Sequence, residues 1–488
     1  MQQLGQIDPS GLGDMPYEDF RRHGTQVVDW ICSYFKDIDR YPVLSRCRPG
    51  DIKGSLPESA PESGERIDDI MKDFNDIIVP GITHWNSPRF FAYFSISSSA
   101  PAILGEMLSN ALNVNGMLWK TSPSATELEE LVAKWLRRML HLPEDFTGMI
   151  VDTASIASFY GLAAARERLT DLDIRTRGFP TGQNAQPLCI YCSDQSHSSI
   201  DKAAIVLGYG LNNIRRIQTD DQFRLNTQEL ERLIKKDIGE GRRPVAAVAT
   251  IGTTSTTSID PVPEIGRICR KYGLWLHVDG AYGGIASIIP EYHHLMDGFE
   301  YVDSYVTNPH KWLFVPIDTS MLYFRDRDLF KRAFSLVPEY LTTRESDEVT
   351  DFMNYGVQLG RRFRSLKLWF VLRYFGREGI INRLREAIRL GRLIQAKVEA
   401  HKDFETTAPV PFSTVCFRFN PGLDDEQKIE ELNTELMDRI NSSGRIYISH
   451  TKLRGKYTLR FTVGNIRTTE RHITEAWELI QQSAAELQ

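Results

Sequence analysis

From residue 148 to residue 324 the sequence repeats strand, turn and helix, and nothing else in the chain limits its fold as tightly. Strand-like runs are read at 148–152, 188–193, 214–219, 245–251, 274–279, 302–307 and 320–324, with helical stretches between most of them. Parallel neighbours need a crossover, so this alternation predicts an α/β sandwich built on a mostly parallel sheet. In such sheets ligands sit outside the carboxyl ends of the strands. Thr153, Ser155, His197, Thr250, Asp279 and Lys311 each fall at or just past the end of a predicted strand. The pattern therefore predicts that they converge on one sheet edge.

Two of the six carry most of the chemistry. LWLHVDGAYGG delivers Asp279 to a glycine-rich mouth, and TNPHKWL places Lys311 just beyond a second strand. A carboxylate and an amine in one pocket suit pyridoxal 5'-phosphate. The amine holds the aldehyde covalently, and the carboxylate keeps the ring nitrogen protonated so that the ring serves as an electron sink. Desolvation and a cationic ring lower a lysine's pKa enough to make it a nucleophile and base near neutral pH. Taken singly, Asp279 reads as a turn former and His310-Lys311 as a loop pair; the convergence outweighs that reading. Thr153-Ala154-Ser155 opens a helix straight after a strand, where free N–H groups and the positive dipole end face an anion such as phosphate. On its own that motif reads better as a plain helix cap.

A chain of 488 residues can bury a large core and is expected to hold two or three structural units. Its 58 basic and 64 acidic residues leave a net charge of −6, with no footprint for nucleic acid or an anionic membrane. The expected partners are a small molecule and a second copy of the chain. MQQLGQIDPSGLGDM has neither a basic nor an apolar run, and no later stretch reads as a membrane span, so the expected location is cytoplasmic. Cys189 and Cys192 have C-x-x-C spacing but lie in a strand-like run, where residues three apart face opposite sides, so they read as core. His293, His294 and Asp297 lack further ligands at workable spacing, and no metal is expected.

Residues 14–38 read as an amphipathic helix, with Asp14 as cap, Pro16 in the first turn and Phe20, Val27, Ile31 and Phe35 along one side. Ile67, Ile70, Met71, Phe74, Ile77 and Ile78 mark a second, stopped by Pro80-Gly81. Neither has a core of its own, which predicts cover by a partner subunit. Residues 82–122 read as loop-rich and aromatic, either packing or lining an apolar pocket. Ser124 to Glu127 reads as a capping box. After a helical region from 364 to about 401, broken near Gly376 and Gly379, strands at 414–419, 445–448 and 457–463 with helices at 425–441 and 468–486 predict a small α+β unit.

Nine stretches, GITHWNSPRFFAYF, SPSATELE, DTAS, DQSHSS, ATIGTT, HVDGAYGG, NPHKW, PEYL and LGRRFRSLKLWFVLR, follow one another along nearly the whole chain. On these the sequence resembles the group II pyridoxal-phosphate decarboxylases, most of all the aromatic-L-amino-acid decarboxylases. The resemblance implies fold type I, with an N-terminal helical segment (1–95) exchanged across a homodimer with shared active sites, a large cofactor domain (96–375) and a small C-terminal domain (376–488). It implies Lys311 as the Schiff-base lysine, Asp279 as the partner of the ring nitrogen, and Ala154, Ser155 and Asn308 around the phosphate. His197 would stack on the ring, with Thr250, Ala281 and His310 beside it. Tyr340, on a loop spanning roughly 334–351, would be the proton donor, and Trp85, Phe94, Ile96, Met117, His197 and Gly360 would face the substrate.

Some positions depart from that family pattern. Asp152 precedes TAS where glycine is common, Gly280 follows the acid where alanine is usual, and Ile96 and Met117 stand where threonine and phenylalanine are common. Gly360 resembles the aromatic decarboxylases, whereas histidine decarboxylases usually carry serine there. The expected reaction is decarboxylation of an aromatic L-amino acid to its arylalkylamine. The rivals are an aldehyde synthase, in which the loop tyrosine or the stacking histidine is typically replaced, and an aminotransferase, which shares lysine, acid and phosphate cup. A non-catalytic binding module would have no reason to keep Lys311.

Overall fold

The apolar runs between 147 and 324 assemble into one seven-stranded sheet. In the computed structural model, which describes residues 13–182, 185–336 and 348–487, the strands are β1 (Thr147–Val151), β2 (Leu188–Ser193), β3 (Ile214–Ile217), β4 (Arg243–Thr250), β5 (Trp275–Asp279), β6 (Ser304–Thr307) and β7 (Ser320–Phe324). Their order is β1-β7-β6-β5-β4-β2-β3. From β3 to β6 all neighbours are parallel, while β7 runs antiparallel to both β6 and β1. Every position of β2, β5, β6 and β7 is buried, because helices cover both faces. Leu276, Val278, Tyr305 and Tyr323 enter one core and Trp275, Val306, Leu322 and Phe324 the other. Strands buried on both sides lose the polar alternation of a half-exposed sheet. Each such side chain contributes about 1.5–3 kcal/mol by leaving water.

The flanking helices differ in detail from their expected form. Helix α1 (Tyr17–Lys36) has Pro16 at its N-cap, and the Asp14 carboxylate accepts from the Met15 amide at 2.7 Å instead of capping it. No residue of α1 is buried, and Tyr17 is 92% exposed. Near its end Trp30 donates to Asn75 (2.7 Å) and meets Phe74 edge-on, so α1 packs on the segment that follows α2 (Ile67–Asp73). The 82–122 segment is not all loop: it contains α3 (Ala100–Leu112). Its buried face carries Ala102, Gly105 and Ser109, while Leu104, Met107, Leu108 and Leu112 are exposed, the inverse of an ordinary amphipathic helix. A β-carbon at Gly105 would stand 2.8 Å from the Lys367 Cα, which is why the buried face is small. Helix α4 (Pro123–Met139) is capped by Ser122, whose hydroxyl accepts from the Ala125 amide, not by Ser124. Pro123 takes the first helical position and shifts the cap. Glu127 instead accepts from the Trp119 indole at 2.8 Å.

Helix α5 (Ala154–Glu167) follows β1 directly. The long α6 (Arg364–Glu399) breaks at Gly376, whose φ of 62° and ψ of 173° suit glycine alone, whereas Gly379 stays helical. Beyond it lies an antiparallel sheet in the order β10-β11-β9-β8, made of β8 (Phe404–Thr406), β9 (Thr414–Phe419), β10 (Ser449–Leu453) and β11 (Lys456–Thr462). Helices Glu426–Ser442 and Glu470–Ala485 close a third core around Phe417, Leu459, Phe461 and Trp477. The expected strand at 445–448 is the approach to β10, where Tyr447 makes a single bridge to Phe90.

Candidate active site

Strand register sets the site. Thr250 lies opposite Asp279 and Asp279 opposite Val306, so β4, β5 and β6 end side by side. A cavity of about 200 Å³ opens at that edge. Of the residues expected there, Phe94, Ala154, Ser155, His197, Thr250, Asp279, Ala281, Asn308, His310 and Lys311 line it, as does Thr153. Gly252, Thr254 and Tyr282 line it as well and were not singled out from sequence, although they lie in the ATIGTT and HVDGAYGG stretches.

Asp279 is buried and its Oδ1 accepts from the Ala281 amide at 3.0 Å. Burial pulls the Lys311 amine down to a pKa of about 8, with Asp279 opposing the shift and Arg460 adding to it. Lys311 Nζ stands 4.9 Å from the centre of the Phe94 ring. Phe94 stacks on Tyr282 at 3.9 Å. Tyr282 hydrogen-bonds through its hydroxyl to Ser413 at 2.8 Å. His197 is exposed at the mouth, and its Nδ1 accepts from the Ser199 amide (3.1 Å), which leaves the proton on Nε2 in the neutral ring. Desolvation lowers its pKa, against the pull of Asp279. His310 Nδ1 accepts from the Thr319 amide at 3.0 Å, and burial followed by the Lys311 charge pushes its pKa to about 3, so it is neutral.

At the other end of the cavity Ile156 and Ala157 bond back to the Thr153 carbonyl, so Ala154 and Ser155 open α5 with first-turn amides that need outside acceptors. Thr250 Oγ1 and Asn308 Oδ1 are buried without a hydrogen-bond partner among the described residues. Such orphans cost about 1–3 kcal/mol each unless a ligand satisfies them. An amine, a carboxylate, a helix start and two unpaired polar atoms around one cavity fit pyridoxal 5'-phosphate. Two of the departures have local causes. Asp152 pairs with Arg364 (2.7 Å) and accepts from Gln358 (2.8 Å), and a β-carbon at Gly280 would meet the Tyr305 ring at 2.6 Å.

Trp85, Ile96, Met117 and Gly360 lie outside this cavity within the single chain. Trp85 stacks on Phe90 at 4.3 Å, and Ile96 is half-buried. Met117 packs with Leu118 and Met353, its neighbour Gly116 donates to the Arg361 carbonyl (2.9 Å), and Gly360 is exposed. Tyr340 falls outside the described residues.

The sequence profile of the pyridoxal-dependent decarboxylase conserved domain matches residues 49–420. The chain belongs to the pyridoxal-dependent decarboxylases. Tyrosine decarboxylase 4 of Petroselinum crispum is 41% identical to this decarboxylase over 485 residues, covering 96% of this chain and 93% of that one. Phenylacetaldehyde synthase of Arabidopsis thaliana is 41% identical over 487 residues, with 98% of each covered. The crystal structure of Catharanthus roseus tryptophan decarboxylase in complex with L-tryptophan matches with a TM-score of 0.90 at 38% identity, covering 97% of this chain and all of that one. Pyridoxal 5'-phosphate is accordingly the cofactor of this decarboxylase.

Proposed function

We propose that this decarboxylase converts an aromatic L-amino acid to its arylalkylamine and CO2, with Lys311 as the covalent anchor of the cofactor, Asp279 as the partner of its ring nitrogen and the Ala154–Ser155 helix start as its phosphate cradle. The carrying observation is Lys311, half-buried and with its amine lowered by desolvation to about 8, in one cavity with Asp279 at the ends of adjacent strands. When bound, pyridoxal 5'-phosphate supplies the sink for the electron pair left by the departing carboxylate. The protein's residues bind, orient and move protons. His197 offers Nε2–H or its ring face at the mouth, and Phe94 offers an aromatic wall. We assign the proton donor role to Tyr340 on the strength of the PEYL stretch.

The tyrosine and tryptophan decarboxylases among the relatives support an aromatic substrate. The second reading, an aldehyde synthase, draws support from a phenylacetaldehyde synthase of equal identity. His197 and Tyr340 favour amine. We read the assembly as a homodimer with shared active sites: Val357 (63% exposed) and the exposed Leu359 precede Gly360, and the exposed leucines of α3 call for cover. The domain boundaries are read at 95/96 and 375/376, the second beside the Gly376 break. Six free thiols support a reducing, cytoplasmic location; no described helix is long and apolar enough to cross a membrane. A panel of phenylalanine, tyrosine, tryptophan and DOPA, read for amine, aldehyde and keto acid, tests the reading. Keto acid as the main product would replace it with transamination.

A further inference from the structure

Arg460, on β11, is a charge near Lys311 that the reading above leaves without a task. It is 4% exposed, and a buried guanidinium is costly unless paired. Among the described residues no carboxylate pairs with it, and its Nη2 has no hydrogen-bond partner. Its two bonds go to carbonyls: Nε donates to Ser255 at 3.0 Å and Nη1 to Tyr93 at 2.6 Å. Ser255 follows Thr254 and Tyr93 precedes Phe94, and both Thr254 and Phe94 line the cavity. Tyr93 has a φ of 49°, the left-handed region that a tyrosine holds only when its surroundings impose it. The Arg460 Cζ stands 4.6 Å from the centre of the same Phe94 ring that Lys311 Nζ approaches.

We propose that Arg460 is a positioning residue for the reaction: its fork pins the two wall loops that carry Phe94 and Thr254, and its unneutralised charge beside Phe94 opposes a second positive charge on Lys311. The inference rests on Lys311 being the anchor of the cofactor. Four titratable or charged groups bear on Lys311. Asp279 favours its charged form, His197 is lowered by desolvation at the cavity mouth, His310 is lowered by burial to about 3 and neutral, and Arg460 is the permanent cation. Arg460 itself faces Tyr282 and Cys416, both raised by burial and uncharged. Arg460 therefore sets the sign of the field that Asp279 is balanced against.

The test uses full-length protein freed of cofactor. Pyridoxal 5'-phosphate is added across the range from about pH 6 to about pH 10, the adduct is trapped with borohydride, and the Lys311 peptide is quantified by mass spectrometry. The rate of labelling in the parent protein has its midpoint near the lysine value of about 8. Arg460→Gln raises that midpoint by about half a pH unit or more, because the opposing cation is gone. Arg460→Lys keeps the charge and loses the fork. It keeps the midpoint but raises KM for the aromatic amino acid about fivefold, with kcat within about twofold. An unmoved midpoint in a folded Gln variant, or a Lys variant with shifted midpoint or parental KM, overturns the proposal. If the Gln variant does not fold, the Lys variant decides on both readouts. No label at Lys311 in the parent protein removes the anchor assignment itself, and this inference with it.

Discussion

Tyr282 and Trp312 stack with ring centroids 4.6 Å apart and planes 12° from parallel. Tyr282 comes three residues after Asp279, and Trp312 follows Lys311, so aromatic packing fixes the turn beyond β5 to the turn beyond β6. Acid and amine are held in place by this stack. Such pairs contribute about 0.5–1.5 kcal/mol beyond their buried area. Trp312→Leu is expected to weaken cofactor binding about tenfold while the protein stays folded, as read by cofactor titration with absorbance. Parental affinity would mean that the stack does not set the geometry.

Lys311→Ala removes the amine but leaves Asp279 and the α5 start in place. Turnover is expected to fall by at least about a thousandfold, with cofactor still bound noncovalently. The check is residual CO2 release together with the absorbance of the dialysed variant; near-parental turnover removes the assignment.

His277 is fully buried between Ser304 (2.8 Å) and Ser158 (3.2 Å), and burial lowers its pKa from 6.5 to about 4. The unfolded chain takes up a proton below the ordinary value and the fold does not, so this contribution is complete above pH 6.5 and is lost as pH falls towards 4. His310 acts with the same sign, and Asp260, raised by burial to about 7, with the opposite one. The comparison therefore has to be made between proteins. From about pH 7 to about pH 4 the parent should lose about 3 kcal/mol more stability than His277→Gln in denaturant titrations. Equal losses would contradict the buried, neutral histidine.

Much of this was legible in the sequence because parallel strands end their apolar runs where the polar residues begin. Thr250, Asp279 and Lys311 mark strand ends, and adjacent strands bring them together without any long-range guess. Helix α3 was not legible, since its buried side is Ala102, Gly105 and Ser109 and its large residues face outward. The α4 cap moved to Ser122 because Pro123 is the better first helical residue. Arg460 carries no local signal: its partners, Tyr93 and Ser255, lie more than two hundred residues away. The backbone bond from Gly116 to Arg361, which ties the segments of Met117 and Gly360 together, likewise has no local signal.

Tyr340→Phe separates the two product classes. If the hydroxyl delivers the proton to the α-carbon, its loss leaves CO2 release possible but exposes the carbanion to dioxygen, and aldehyde replaces amine. Little volume changes, so the protein should remain folded. Amine, aldehyde, ammonia and peroxide are measured with and without oxygen. Amine at the parental rate and ratio would show that another group donates the proton.

The most direct measurement is the ratio of CO2 released to amine formed from an aromatic L-amino acid by the parent protein in air. The account predicts one amine per CO2, with neither peroxide nor ammonia. Peroxide and ammonia formed in step with CO2 would make the protein an aldehyde synthase, and keto acid without CO2 would contradict decarboxylation altogether.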